Sequence, residues 1–226
     1  AGTSIAAITP AGAPGAQGVT VRTAGGTVTK AGAFTFVPAP TISAVTPTSG
    51  PVAGGTAITV VGTNLQGASV RVGDFAATNV IGNGLGTSLT AVTPAGAAGP
   101  KAVAASTVGG TASLAAGFTH VAPPSITAIA PNSGPMAGGT MITVTGTNFV
   151  PGAITLTVGG IPATNVVVVS PTTITAQAPA GPAGARDVVV TTPGGTFSKP
   201  AAFVNLPPPT ITSVSPATGP GAGGWR

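Results

Sequence analysis

The chain has 226 residues, 7 Lys plus Arg, 2 acids and a single His, for a formal net charge of +5. It lacks Cys and Tyr, and Asp74 and Asp187 are its only acids, so a thiol nucleophile, a disulfide framework and a cysteine or polyhistidine metal site are excluded. Charged residues make up 4% of it, against roughly 25% in an ordinary soluble domain, so most enzyme chemistry lacks its functional groups.

Gly contributes 36 residues and Pro 24, a share that can signal disorder. Disordered chains, however, have too little apolar surface to offset the entropy of ordering. This one is 42% hydrophobic with a mean hydropathy of +0.54. Its Gly and Pro also recur in register, which points to short strands joined by many turns. No apolar run exceeds four residues, Val166-Val167-Val168-Val169 being the most hydrophobic, far short of the roughly 18–20 residues of a bilayer helix, so membrane insertion is not expected.

Taken in chain order, the sequence repeats itself. Thr9-Pro10-Ala11-Gly12 returns as Thr93-Pro94-Ala95-Gly96 and as Ala178-Pro179-Ala180-Gly181. Gly25-Gly26-Thr27 returns at Gly109-Gly110-Thr111 and Gly194-Gly195-Thr196, and Phe34 returns at Phe118 and Phe203. Pro47-Thr48-Ser49-Gly50-Pro51-Val52-Ala53-Gly54-Gly55-Thr56 matches Pro131-Asn132-Ser133-Gly134-Pro135-Met136-Ala137-Gly138-Gly139-Thr140, and matches again from Pro216 to Gly224. A period of about 85 residues is too long for a solenoid and suits a small domain with its own core.

The chain therefore divides into four pieces. Residues 1–38 are the back half of a unit, 39–122 and 123–207 are two whole units, and 208–226 open a further one. The seams, Pro38-Ala39-Pro40, Pro123-Pro124 and Pro207-Pro208-Pro209, are stiffened by fixed φ and should hold the units end to end. Within a unit the apolar residues alternate, the strand period. Ile142 and Val144 point one way, and Thr143 and Thr145 the other. Further strands are expected at 125–129, 154–158, 163–168, 172–176, 187–192 and 202–206. About seven short strands in such a unit, with no helical period anywhere, describe an immunoglobulin-like sandwich.

The run Ser133-Gly134-Pro135 through Gly138-Gly139-Thr140, Ile142-Thr143-Val144 and Gly146-Thr147-Asn148-Phe149, with its counterpart from Pro47 to Asn64-Leu65, resembles the IPT/TIG domain. The resemblance implies an all-β architecture of tandem immunoglobulin-like sandwiches, as in plexin-type receptors, Rel-type transcription factors and strings of domains in bacterial surface proteins. The family has no common catalytic residue to carry over. A departure stands at Trp225-Arg226, where the other units have Thr followed by Ala57 or Met141.

Candidate sites are few. His120 aligns with Phe36 and Asn205, a variation that suits a strand-end side chain near a seam better than a shared site. Asp74 aligns with Gly160 and reads as a solvated turn residue, since calcium takes several oxygen ligands. Asp187 follows Arg186, and local charge pairing accounts for it. Asn83-Gly84 reads as a tight turn. Gly54-Gly55-Thr56 leads into a strand and lacks the Gly-Lys-Ser/Thr of a phosphate loop. No catalytic, cofactor-binding or metal-ligating residue is assigned, and no cofactor is expected. Arg22, Lys30, Arg71, Lys101, Arg186 and Lys199 are scattered singly, so the basic balance reflects missing acids and does not point to nucleic acid.

A Thr-rich, Cys-free and nearly uncharged surface suggests an extracellular or cell-surface protein packed against copies of itself. The expected role is a structural repeat segment, a stalk or the subunit of a fibre, and not an enzyme. The alternative is an adhesin or an accessory carbohydrate-binding module recognising surface glycans. It is weakened by the absence of Tyr and by a lone Trp at position 225. The two half-units at the ends suggest either an excerpt of a longer array or strands supplied by another chain. Intact-mass measurement of the native polypeptide separates these.

Overall fold

A computed structural model describes residues 3–218, so Trp225-Arg226 and the end of the third Gly-rich motif lie outside the described residues. The chain divides into two units, meeting between Ala122 and Pro123. All regular structure among the described residues is β, and no helix is long and apolar enough to cross a membrane.

The first unit begins with residues 3–14, which are not in a strand, and a hairpin of β1 (Gly15–Thr23) and β2 (Gly26–Phe36). A complete sandwich follows. It is built from β3 (Thr41–Thr46), β4 (Ser49–Pro51), β5 (Ala57–Thr63), β6 (Ser69–Val72), β7 (Phe75–Ala76), β8 (Thr78–Gly82), β9 (Ser88–Val92), β10 (Gly99–Thr107) and β11 (Gly110–Val121). One sheet has the order β3-β5-β9-β8 and the other β4-β11-β10-β6-β7.

The second unit repeats this plan with β12 (Ser125–Ala130), β13 (Ser133–Pro135), β14 (Met141–Thr147), β15 (Thr155–Val158), β16 (Ile161–Pro162), β17 (Thr164–Ser170), β18 (Thr173–Gln177), β19 (Gly184–Thr192) and β20 (Gly195–Leu206). Its sheets run β12-β14-β18-β17 and β13-β20-β19-β15-β16.

Each sandwich thus has nine strands where alternation suggested about seven. The additions are too short to show a period. β7 and β16 are two-residue edge strands, and β4 and β13 are the Ser-Gly-Pro of the repeated motif. The latter pair parallel to the last strand of their own sandwich, Gly50 opposite His120 and Gly134 opposite Asn205. The last strand of the second sandwich is also longer than the expected 202–206, because it includes the whole far arm of a hairpin with β19.

The inward residues of both sheets form one core per sandwich. Ile58, Val60, Val70, Leu89, Val103 and Phe118 are buried in the first. Ile142, Val144, Leu156, Ile174, Val188 and Phe203 are buried in the second. The alternation read from the sequence holds along β14, where Ile142 and Val144 are buried and Thr143 and Thr145 exposed.

All three β10-type hairpins carry the same bulge, between Gln17 and Val19, Lys101 and Val103, and Arg186 and Val188. On the opposite strands Gly32, Ala116 and Ala201 have φ of 60°, 51° and 49°. The left-handed conformation suits Gly and strains Ala. In the second sandwich the Asp187 carboxylate accepts a hydrogen bond from the Ala201 N–H at 2.9 Å. Arg186 donates to the Pro182 and Ala183 carbonyls. The expected Arg186–Asp187 pairing is thus replaced by separate backbone contacts: Asp187 holds the bulged strand to Ala201, and Arg186 holds the loop that leads into β19.

Two outcomes follow from this packing. Phe118→Ala or Phe203→Ala costs its own sandwich about 3–5 kcal/mol in chemical denaturation, whereas Phe34→Ala costs the chain roughly 1 kcal/mol or less. Ala116→Gly and Ala201→Gly are neutral or stabilising by up to about 1 kcal/mol, where Ala→Gly inside an ordinary strand loses about 0.5–1 kcal/mol.

Candidate functional site

The repeated motifs converge on one end of each sandwich. After β4 the chain turns through Gly54 and Gly55, at φ of 76° and 82°. A Cβ on Gly54 would overlap the Pro94–Ala95 peptide, while one on Gly55 would meet open space. Hydrogen bonds fasten the two segments: Gly55 N–H to Thr93 O at 2.9 Å, Thr93 N–H to Thr56 O at 2.9 Å and Gly96 N–H to Val52 O at 2.9 Å. The buried Thr93 hydroxyl also accepts from Thr56 N–H at 3.1 Å. In the second sandwich Gly138, at φ 74°, lies on Pro179–Ala180 in the same way. Gly139 N–H bonds Ala178 O and Gly181 N–H bonds Met136 O, both at 2.9 Å. The Gly-Gly and Pro-Ala-Gly landmarks recur together because they are the two halves of one contact.

The glycine that ends each Pro-Ala-Gly sits beneath the variable strand-end residue. A Cβ on Gly12 would strike the Phe36 ring, on Gly96 the His120 ring, and on Gly181 the Asn205 amide. His120 stands at the end of its strand, as read from the sequence, and there it is a buried knob in a glycine socket. It meets the Phe118 ring edge-on, with centroids 5.2 Å apart, and its Nδ1 lies 3.3 Å from Pro51 O. Asn205 donates from Nδ2 to Pro182 O at 3.2 Å, and its buried Oδ1 has no partner.

Beside His120 a small cleft of about 110 Å³ is lined by Gly73, Asp74, Phe75, Gly96 and Lys101 among others. It brings together three of the polar side chains singled out in the sequence. Asp74 is exposed on its turn, as expected, and its backbone oxygen accepts from the Arg71 guanidinium. The sister positions hold Gly160, Arg186 and Asn205, so the acid and the imidazole are absent from the second copy. Only a basic side chain recurs, its stem lying on Gly73 (Lys101) or Gly159 (Arg186). Among the described residues no group of three His, Asp or Glu side chains could hold a metal ion.

Asn83-Gly84 does not form the expected tight turn: it opens a five-residue loop, 83–87, between β8 and β9, closed by Asn83 N–H to Ser88 O at 3.0 Å, with Gly84 at φ 75° and Asn83 Nδ2 donating to Thr87 Oγ1 at 2.7 Å. Sequence reasoning missed what the Gly-Thr-Asn run does. Asn64 and Asn148 sit at φ 54° and 59°, a conformation Asn tolerates. Each reaches back to the seam that precedes its sandwich: Asn64 Nδ2 to Ala39 O at 3.0 Å and Asn148 Nδ2 to Pro123 O at 2.7 Å. Gly62 and Gly146, two residues earlier, leave no room for a Cβ against the Thr41 and Ser125 carbonyls. The spacing of this run within both copies was the available signal.

The sequence pattern that defines the IPT/TIG domain matches residues 40–120 and 124–204. The chain belongs to the IPT/TIG family. Human fibrocystin-L is 33% identical over 132 residues, which cover 58% of this chain and 3% of that protein. Mouse fibrocystin-L is 35% identical over 85 residues, 38% of this chain and 2% of that one. The chain thus spans a small fraction of the relatives it matches. Among solved structures, the plexin A4 full extracellular region aligns with a TM-score of 0.52 and 23% identity, over 82% of this chain and 17% of that one. That likeness is one of fold. Tandem IPT/TIG sandwiches, as read from the sequence, are what the chain forms.

Substitution separates the roles of paired glycines. Gly55→Ala loses about 1 kcal/mol from its left-handed backbone alone. Gly54→Ala also forces two backbones apart and loses more than twice as much, read as a lower denaturation midpoint of the first IPT/TIG domain. Asn64→Ala and Asn148→Ala each lose about 1–2 kcal/mol, and hydrogen exchange speeds up at the first strand of the affected domain.

Proposed function

We propose that this chain is a structural repeat segment of an extracellular or cell-surface protein, serving as a stalk or as the subunit of a fibre, without enzymatic activity. The observation that carries this reading is which positions the repeats keep. Gly12, Gly96 and Gly181 recur, and so do Phe34, Phe118 and Phe203; in the whole domains Gly96, Gly181, Phe118 and Phe203 are packing positions. The side chains with chemistry change: Phe36, His120 and Asn205 share one place, and Asp74 and Gly160 another. A repeated binding or catalytic site would keep the second kind and tolerate drift in the first.

The seam tethers support the same role. A proline-stiffened seam whose carbonyl is bonded to the domain it enters is held extended on that domain, which favours reach over adaptability. Outward strand residues are largely Thr, Ser and Ala, several joined in hydroxyl pairs such as Thr41–Thr63, Ser125–Thr147 and Thr191–Thr196 at 2.8–3.0 Å. A nearly uncharged face of this kind offers little repulsion between copies. A copy of the same chain is accordingly the expected partner.

Electron micrographs of the native material are the test. Extended rods or fibres with a regular axial repeat are expected, together with no signal above background on a glycan array. Globular particles that bind one glycan class would replace the structural role with recognition of surface sugars.

A further inference from the structure

Residues 3–38 carry a bare half of an IPT/TIG core. Residues 3–9 match 87–93 and 172–178, and β1 and β2 match β10 and β11 in register, bulge and left-handed residue. In the first whole domain Leu89, Val103 and Phe118 are at most 2% exposed. Their counterparts Ile5, Val19 and Phe34 are 74%, 45% and 40% exposed. An open groove of about 510 Å³ lies on this face, floored by Gly12, Val19, Phe34 and Phe36 and bordered by Ile8. Among the described residues β1 and β2 form a sheet of two strands, so their outer hydrogen-bonding edges have no strand beside them.

We propose that this face is a docking site for a front half-domain of the same repeat, a segment with the pattern of residues 39–86. The complete domains show what such a segment supplies. There β6 pairs antiparallel along β10, β4 pairs parallel to β11, and β5 pairs antiparallel to β9. These three strands match, one for one, the free edges of β1, of β2 and of residues 3–9. The glycine socket is already in place, with Gly12 under Phe36. So is the Pro10-Ala11 platform on which a counterpart of Gly54 would rest. The sequence at the tail of a second copy, residues 208–226, is a poorer substitute. It carries the patterns of β3 and β4 but not those of β5 and β6, so it offers no strand for residues 3–9 or for the free edge of β1. The proposal is independent of the stalk or fibre reading, because it rests on matched positions within the chain.

The test adds a copy of residues 39–86 directly before Thr3 of the full chain, restoring the natural Gly86–Thr87 junction as Gly–Thr. Amide hydrogen exchange is followed at residues 3–9 and 19–23, with residues 39–207 as internal control. About 100-fold slower exchange at both stretches is expected. A second extended chain, with Ala at the added copy of Gly54, should lose most of that protection. Unchanged exchange at residues 3–9 and 19–23 overturns the proposal. It is equally overturned if the unextended chain already protects these amides in a concentration-dependent way, which would give the face to a second copy.

Discussion

Each sandwich depends on a place where two backbones touch with nothing between them. Gly54 on Pro94–Ala95, and Gly138 on Pro179–Ala180, join a loop from the front of the domain to the segment that starts its last hairpin. No side chain can mediate this contact, because the separation is smaller than a methyl group. The positive φ of both glycines and the fixed φ of the prolines meet there, and the flanking N–H groups close the joint. Around it the chemistry is free to vary, and it does. Thr93 adds a buried hydroxyl bond that Ala178 cannot make, yet the loop keeps its course.

The socket glycine extends the same logic to a side chain. Gly12, Gly96 and Gly181 open a space that is filled in turn by a phenyl ring, an imidazole and an amide. A single position with three chemistries reads as noise in the sequence. In the structure it is one steric role, the plug at the end of the last strand. His120 gains a ring contact with Phe118, and Asn205 exchanges that contact for a hydrogen bond to Pro182, with one oxygen left unpaired.

Much of this was legible in advance because a repeat prints each constraint more than once. The alternation along β14 and the recurrence of the Gly-Gly, Pro-Ala-Gly and Phe landmarks were all visible in pattern and composition. What escaped is of a different kind. β4 and β13 are three residues long and pair in parallel, so no period announces them. Ala116 and Ala201 adopt a backbone that their own residue type disfavours, and only the alignment with Gly32 hints at it. Burial of His120 depends on a glycine 24 residues away, which no local window contains. The exposure of Phe34 was hidden for the opposite reason: its sequence context is that of a core residue, and what it lacks is a partner rather than a pattern.

The parallel pairing of β4 with β11 also sets how a domain answers a pull on its two ends. A pull on the two ends reaches β11 directly and β4 through β3, which is bonded to β5; once it reaches β4, that strand is drawn toward its N-terminus and β11 toward its C-terminus. Because the strands run the same way, the bonds from Thr119 N–H to Thr48 O at 2.8 Å and from Val52 N–H to Val121 O at 3.1 Å share that load in shear. An antiparallel hairpin pulled open from one end would surrender its bonds one after another. Here they must fail together, and β13 against β20 repeats the device with Val204 N–H to Asn132 O at 2.9 Å and Met136 N–H to Leu206 O at 3.1 Å. Three residues that scarcely count as a strand thus act as a mechanical clasp across each domain.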